Sequence, residues 1–487
     1  MHYIEPENRR QASLFSSLDD FVAGDNPVRL LDLIVEEVVG ANPEKFLRRG
    51  LRNVGRKAYS PQVLLKLFLY GYLHGISSSR KLEAETKRNM ELMWLLGRLS
   101  PDHKTISDYR KNHSEAIHFL ALRFREYLID ANYITGRKVA LDGTKLKANA
   151  ARQKFFSSKS LERRLRSCEA QLNAYLDQLG RNDVLEDARD EDDESGGGVN
   201  QALIDKICEL EEEIIQLKSV EEQLERHSQD KISMTDPECR MMKSSQGFIP
   251  GYNLQVVTDM AMGMIAHAEI RQEPSDYGLA EEMIDNLEAE TSIVPEEFHA
   301  DKAYYSPQQL HWLEIDRGIT SWIPVPEQKQ KKRDRKAGIE FVYQPKTDSY
   351  LCSQGQPLLR YCRDLFKQGV IYKSKTCGGC SKKPQCTPGA NRSLKEPFLK
   401  KWMDAFRQRM SSNLGRKAIR DRSAWAEHPF GTLKNWMGKQ QLKMRGKVNV
   451  QTEIDLYATA YNFKRLLNIT SHDQIKSQVQ SYNWIGS

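Results

Sequence analysis

Residues 137–150 read RKVALDGTKLKANA, and here the texture of the chain changes. Val139 to Leu141 form a short apolar run, after which Thr144, Leu146 and Ala148 alternate with Lys145, Lys147 and Asn149. That is the period of a strand with one covered face. Residues 15 to 130, by contrast, read as helices separated by short turns, with helix-entry signals at Ser60-Pro61 and at Ser100-Pro101-Asp102. The stretch therefore ends an all-helical domain and opens an α/β one. Asp142 interrupts its apolar start, where a charge without compensation would be costly.

Downstream, residues 155–233 return to helical period. Leu161, Leu165, Leu172, Leu176 and Leu179, and then Leu203, Ile207, Leu210, Ile214, Leu217 and Leu224, recur at spacings of three, four and seven. Between them residues 182–195 hold eight acids against Arg189 alone, which reads as an exposed tip. This predicts a long antiparallel helical hairpin inserted into the α/β domain. Strand texture resumes in GYNLQVVTD (251–259), where Tyr252, Leu254 and Val256 alternate with Asn253 and Gln255, and in MIAHAEI (264–270). An amphipathic helix follows over 275–291, and then PEEFHADKAYYS (295–306), a short strand running into a loop. Strand, hairpin, helix, strand is an α/β order.

These textures divide the chain into six regions. A helical N-terminal domain covers 1–135, and 136–154 with 234–324 make the first parts of an α/β core. The hairpin occupies 155–233, a basic and cysteine-containing insertion 325–392, a helical part carrying Glu427 393–470, and a tail 471–487. At 487 residues the chain is too long for one compact domain. Its net charge of +7 is modest, but residues 392–447 hold fifteen Lys or Arg against Glu396, Asp404, Asp421 and Glu427. Arg48, Arg49, Arg52, Arg56 and Lys57 form a second cluster, either a basic approach to a DNA-docking helix or a solvated loop. There is no apolar run of eighteen residues and no signal-peptide core at the N-terminus, so a soluble, cytoplasmic protein with no membrane partner is expected.

Three carboxylates stand out. Asp142 lies in the first strand, Asp301 at a strand-to-loop switch in HADKAYYS, and Glu427 alone among cations in SAWAEHPFGTLKNWMGKQQLKMRGK (423–447). Carboxylates from separate segments that meet in the fold can hold two divalent metal ions, whose use is in-line phosphoryl displacement. Arg420 and Lys434 stand seven residues either side of Glu427, one helix face if the helix survives Pro429. Asp259 and Glu453 are rival ligands, while Asp236 and Arg240 read as a turn with an ion pair. His299 and His428 adjoin the acids without a needed role.

In the cysteine-rich insertion, Cys377 and Cys380 form one knuckle and Cys386 follows. Zinc held with Cys352 or Cys362 is one reading and reduced thiols in a loop-rich segment the other. Cys168 and Cys208 read as core packing of the hairpin.

Several stretches in their order, ALDGTKLKANA, TDPECRMM followed by PGYNLQVVTD, ADKAYYS, EHPFGTLKNWMG and AYNFKRLL, resemble the DDE transposases of bacterial insertion sequences. YSPQVLLKLFLYGYLHGISSSRKLE and SPDHKTISDYRK resemble the helical N-terminal domain of one branch. The resemblance implies an RNase H-like mixed-sheet core, a catalytic and metal-binding triad of Asp142, Asp301 and Glu427, and two Mg2+ or Mn2+ ions. It implies cleavage of double-stranded DNA at element ends and strand transfer to a target by a homodimer associated with the bacterial nucleoid. Lys434 matches the family's basic residue seven after the glutamate. Where the family motif begins with tyrosine and arginine this chain has Trp425 and Ala426, so that pair's role does not carry over. Arg420, Lys434, Lys443, Arg445 and Lys447 are the expected phosphate contacts. Trp425 and Trp436 would either stack an unpaired base or pack the helix on the sheet. The rival functions are a metal-dependent nuclease without strand transfer and an inactive DNA-binding derivative.

Overall fold

The computed structural model describes residues 17–46, 58–152, 155–186, 197–227, 231–244, 247–326, 329–364, 369–397, 400–436 and 441–485. The basic cluster from Arg48 to Lys57 and most of the acidic tip lie outside the described residues.

The period-3.6 segments are helices. Three of them, α1 (Pro27–Ala41), α2 (Pro61–Leu73) and α3 (Ser114–Asp130), form the body of the N-terminal region. The entries of α1 and α2 are capped by short polar side chains, Asn26 and Ser60, that satisfy orphaned N–H groups. Asn26 Oδ1 accepts from Val28 N at 2.9 Å. Asp102 caps a shorter helix, His103–Asn112, by accepting from Lys104 N at 3.0 Å and Thr105 N at 2.9 Å. Helix α2 buries every residue from Leu64 to Tyr72, Lys66 included, whose ammonium pairs with Asp32 at 2.5 Å and with Glu36.

Strand β1 (Lys138–Lys147) is the centre of a mixed sheet. Its neighbours are built from β2 (Arg240–Ser244), β3 (Gly247–Asp259), β4 (Ile265–Arg271), β5 (Glu297–Ala300) and β6 (Thr320–Trp322). β3 runs antiparallel to β1 on one side, and its far edge is shared by β2 and β4. On the other side β5 and then β6 run parallel. Helix α4 (Ala280–Thr291) makes the crossover from β4 to β5.

Helix α5 (Lys447–Ile469) joins the helical region to this sheet. Fourteen of its side chains are buried, because it packs against α2 and α3 as well as β4. Against β4 its amides replace a missing strand. Asn462 Oδ1 accepts from Ile265 N at 2.8 Å and its Nδ2 donates to Ile265 O at 2.9 Å. Gln451 does the same for Ile270 N at 2.8 Å and Ala268 O at 2.9 Å. The edge of β4 is thus satisfied without offering a template for pairing.

The hairpin insertion consists of helices Ser158–Glu186 and Gly197–His227, closed at its base by the pair Phe155–Phe156 and Ile232–Ser233. Cys168 is buried between the arms, but Cys208 is exposed, so only the first belongs to the packing. The second insertion is an antiparallel sheet in meander order: β7 (Phe341–Gln344), β8 (Ser349–Cys352), β9 (Pro357–Asp364), β10 (Gly369–Ser374) and β11 (Ser393–Pro397).

The stretch read as a tail instead carries a helix, His472–Ser481, and returns to the N-terminal region. Trp484 is 2% exposed, and its carbonyl accepts from Asn42 Nδ2 at 2.7 Å. One apolar cluster runs from Val22 to Trp484, so the helices and the sheet share a core. Among the described residues no helix is long and apolar enough to cross a membrane.

Candidate active site

The sheet register brings the first two acids together. Leu141 of β1 pairs with Ala300 of parallel β5, so the next residues in line are Asp142 and Asp301. Neighbouring strands stand about 4.8 Å apart. The two residues lie where the parallel β1–β5 pairing ends while β1 stays paired with antiparallel β3, Asp142 standing opposite Val256, and ends of parallel strands are where α/β sheets collect ligands. Asp301 begins a short 3-10 turn, Lys302–Tyr304, and its Oδ1 accepts from Ala303 N.

Glu427 arrives from above the sheet. Helix α6 (Asn413–Ala426) crosses β1, β3, β5 and β6, and ends at Glu427. A short helix, His428–Gly431, restarts with Pro429 in its first turn, followed by a π-turn over Thr432–Trp436. Pro429 therefore divides the helix, and Arg420, Glu427 and Lys434 do not share one continuous face.

The charges of Asp301 and Glu427 both reach Asp142. Burial pushes the Asp142 carboxyl up to about 6, and the charges of Asp301 and Glu427 push the same way. Arg422 and the Gly143 N–H, which donates to Asp142 Oδ1 at 2.9 Å, oppose the shift. Arg422 was missed by the sequence reading. Its Nη1 lies 3.5 Å from Asp142 Oδ2 and its Nη2 3.7 Å from Glu427 Oε1, with the side chain only 12% exposed. Nη1 is buried without a hydrogen-bond partner. One guanidinium thus spans two carboxylates at ion-pair distance, which leaves most of their acceptor capacity unused.

Beneath Asp142 lies a polar layer that requires glycine at 143. Asp276 Oδ1 accepts from Lys145 Nζ, Asn253 Nδ2 and Gln255 Nε2, each at 2.8 Å, and the Tyr304 hydroxyl donates to Gln255 Oε1. A Cβ at Gly143 would stand 2.4 Å from Gln255 Nε2 and 3.0 Å from the Tyr304 hydroxyl. Asn253 and Gln255, read from sequence as a polar face of β3, are fully buried in this layer.

The rival carboxylates are occupied elsewhere. Asp259 accepts from Thr135, Gly136, Ala261 and Met262, and Glu453 accepts from Lys443 N and Met444 N. Asp236 accepts from the Tyr252 hydroxyl, whereas Arg240 donates to the carbonyls of Pro237 and Cys239, so the expected ion pair is replaced. His428 Nδ1 lies 2.8 Å from the Tyr461 hydroxyl, and the His299 ring stacks near Trp322.

Of the expected DNA contacts, Arg420, Lys434, Lys443 and Arg445 are exposed. The segment holding Lys443 and Arg445 is tied to the end of β1: Leu442 N donates to Lys147 O at 2.8 Å and Arg445 Nε to Asn149 O at 3.1 Å. Lys447 stands 3.6 Å from Glu269 and so is partly neutralised. Trp425 lies under the Arg465 guanidinium at 5.7 Å, a packing role. The side chain of Trp436 lies outside the described residues.

Among the described residues no group of three or more His, Cys, Asp or Glu side chains is arranged as it stands to hold a metal ion. The donor chemistry nevertheless fits a hard divalent cation: oxygen donors only, converging charge on a partly buried carboxyl, and a cation between two of them that makes no hydrogen bond to Asp142.

Two comparisons bear on this site. A family model described as a transposase domain (DUF772) matches residues 16–112, and one described as a transposase DDE domain matches residues 351–467. The first covers the helical region and the second contains Glu427. No curated protein and no solved structure matches the chain. These two matches, one over the helical region and one over the part of the chain that carries Glu427, support a transposase function. More particularly, the two matches together support an insertion-sequence DDE transposase.

Proposed function

We propose that this chain cleaves phosphodiester bonds at the ends of an insertion sequence, in a metal-dependent reaction, and joins the freed 3′-hydroxyl to target DNA. The core is of RNase H-like type, a reading supported by the central β1 with β3 antiparallel on one side and β5 and β6 parallel on the other. Asp142 and Asp301 hold the metals and Glu427 completes the set. The observation that carries this is the β1–β5 register, which seats two acids side by side beneath the helix end that bears the third.

Bound magnesium or manganese, two ions by the resemblance, supplies activation of the attacking oxygen and stabilisation of the leaving one. The chain's own residues position the reaction. Arg422 holds Asp142 and Glu427 near each other against their repulsion. Gly143 and the layer of Asp276, Asn253, Gln255 and Tyr304 fix the height of Asp142. Arg420, Lys434, Lys443 and Arg445 grip phosphates, the helical N-terminal region reads the element ends, and a homodimer pairs two ends.

The test uses DNA fragments from the two flanks of the coding sequence, incubated with magnesium and a target plasmid. Joined products from wild type and none from Asp142→Asn support the reading. Nicks without joining favour a nuclease, and binding without cutting a DNA-binding derivative. Undiminished joining by the variant removes Asp142 from the site.

A further inference from the structure

We propose that Cys352, Cys377, Cys380 and Cys386 hold one structural zinc ion that replaces the missing core of the second sheet. The four come from three separate pieces of chain: the end of β8, the turn after β10, and the short helix Lys383–Cys386. They nevertheless line a single small cavity of about 20 Å³, floored by Ile339 and Phe341. That is room for one water-sized occupant. The fifth cysteine of the region, Cys362, is exposed and takes no part in the lining, which separates the four from a chance accumulation of thiols.

Backbone donors already point at two of the sulfurs. Gln356 N donates to Cys352 Sγ at 3.3 Å and Arg392 N donates to Cys377 Sγ at 3.4 Å. Donors of this kind stabilise a thiolate and orient it as a ligand. Lys382 and Lys383 also line the cavity, and a zinc tetrathiolate carries a charge of about −2 that such cations offset, whereas Arg392, which lines it too, is already paired with Asp334 at 2.5 Å. Four soft sulfur donors with no open position suit a closed tetrahedral zinc site.

The sheet needs such a centre. Its own apolar cluster has three buried members, Tyr350, Leu358 and Tyr372, and its outer face leaves Val342, Leu351 and Leu359 exposed. A unit of this size is ordinarily held by disulfides or a metal. No disulfide joins any of the eight cysteines. The sulfurs stand around the cavity short of coordination, which asks for about 2.3 Å from each to one point. Binding draws them in: the four thiols release their protons, the four thiolates bond to Zn2+, and the binding free energy becomes folding free energy.

The test is metal analysis of the full-length protein purified without chelator, with no DNA reaction involved, so it stands apart from the catalytic proposal. About one zinc per chain is expected, lost in Cys380→Ser and Cys386→Ser and kept in Cys362→Ser and Cys208→Ser. If the first two variants fail to fold, wild type loaded with cobalt(II) should show the thiolate charge-transfer absorption of a tetrahedral sulfur site, and a chelator should expose four additional reactive thiols. A zinc-free wild type with all its thiols reactive overturns the proposal, as does zinc retained in Cys380→Ser and Cys386→Ser alike.

Discussion

Val139, Leu141 and Phe298 of the central sheet belong to an apolar cluster that runs from Val22 to Trp484, whereas the meander sheet has Tyr350, Leu358 and Tyr372 as its buried core. The first sheet therefore rests on a large apolar core and can hold a partly buried acid, Asp142, against its own preference for neutrality. The second lacks it and gathers sulfur. Polar chemistry destabilises one region and completes the other, so neutralising substitutions should act in opposite directions in the two.

The largest effect sharpens that contrast within one residue. Asp142→Asn should lower DNA cleavage on the order of 10³-fold or more, as loss of one member of a cooperating catalytic set does. The same substitution should stabilise the metal-free protein above pH 6 by on the order of 2 kcal/mol, because the raised carboxyl disfavours its charged form. The sign follows from linkage. Between the ordinary value of 3.8 and about 6 the folded state binds the extra proton, so wild-type stability falls as pH rises through that window. Denaturant titrations at pH 4 and pH 8 should show the variant's advantage only at the higher pH. In the meander sheet Cys386→Ser should instead destabilise at every pH, read as faster proteolysis between 341 and 397.

Gly143→Ala comes next. The new methyl meets Gln255, Tyr304 and Asp276, and overpacking of this kind costs about 1–3 kcal/mol. Equal stability of variant and wild type in thermal unfolding would mean the polar layer does not fix Asp142. Arg422→Gln should raise the pH below which manganese binding is lost by about one unit, since an opposite charge near a carboxylate shifts it by that order. An unmoved midpoint in calorimetric titration would remove Arg422 from the site. Smallest, Lys443→Ala and Arg445→Ala should each reduce the salt dependence of DNA binding by about one phosphate contact. Fluorescence titrations across salt concentrations read this slope.

How much of this the chain betrays in advance depends on the kind of signal. Asp142 is legible as a candidate because it interrupts the apolar start of a strand, Asp301 because it stands where a strand runs into a loop, and Glu427 because it stands alone among cations. Arg422 was not, since Arg416, Arg420 and Arg422 share one helix and only its phase on the sheet decides which faces the acids. Asn253 and Gln255 look like a solvent face by alternation, and a sequence cannot say that Asp276, 23 and 21 residues on, gives them a buried partner. The helix at 472–481 is polar along most of its length, and its docking depends on Ile475, Val479 and Trp484, too few apolar residues to announce it.

The central claim is that Asp142, Asp301 and Glu427 serve one metal site. Anomalous diffraction from crystals soaked in manganese tests it most directly. The expected result is manganese within reach of all three carboxylates, Asp142, Asp301 and Glu427. Manganese bound elsewhere, with none near these three side chains, would contradict the claim.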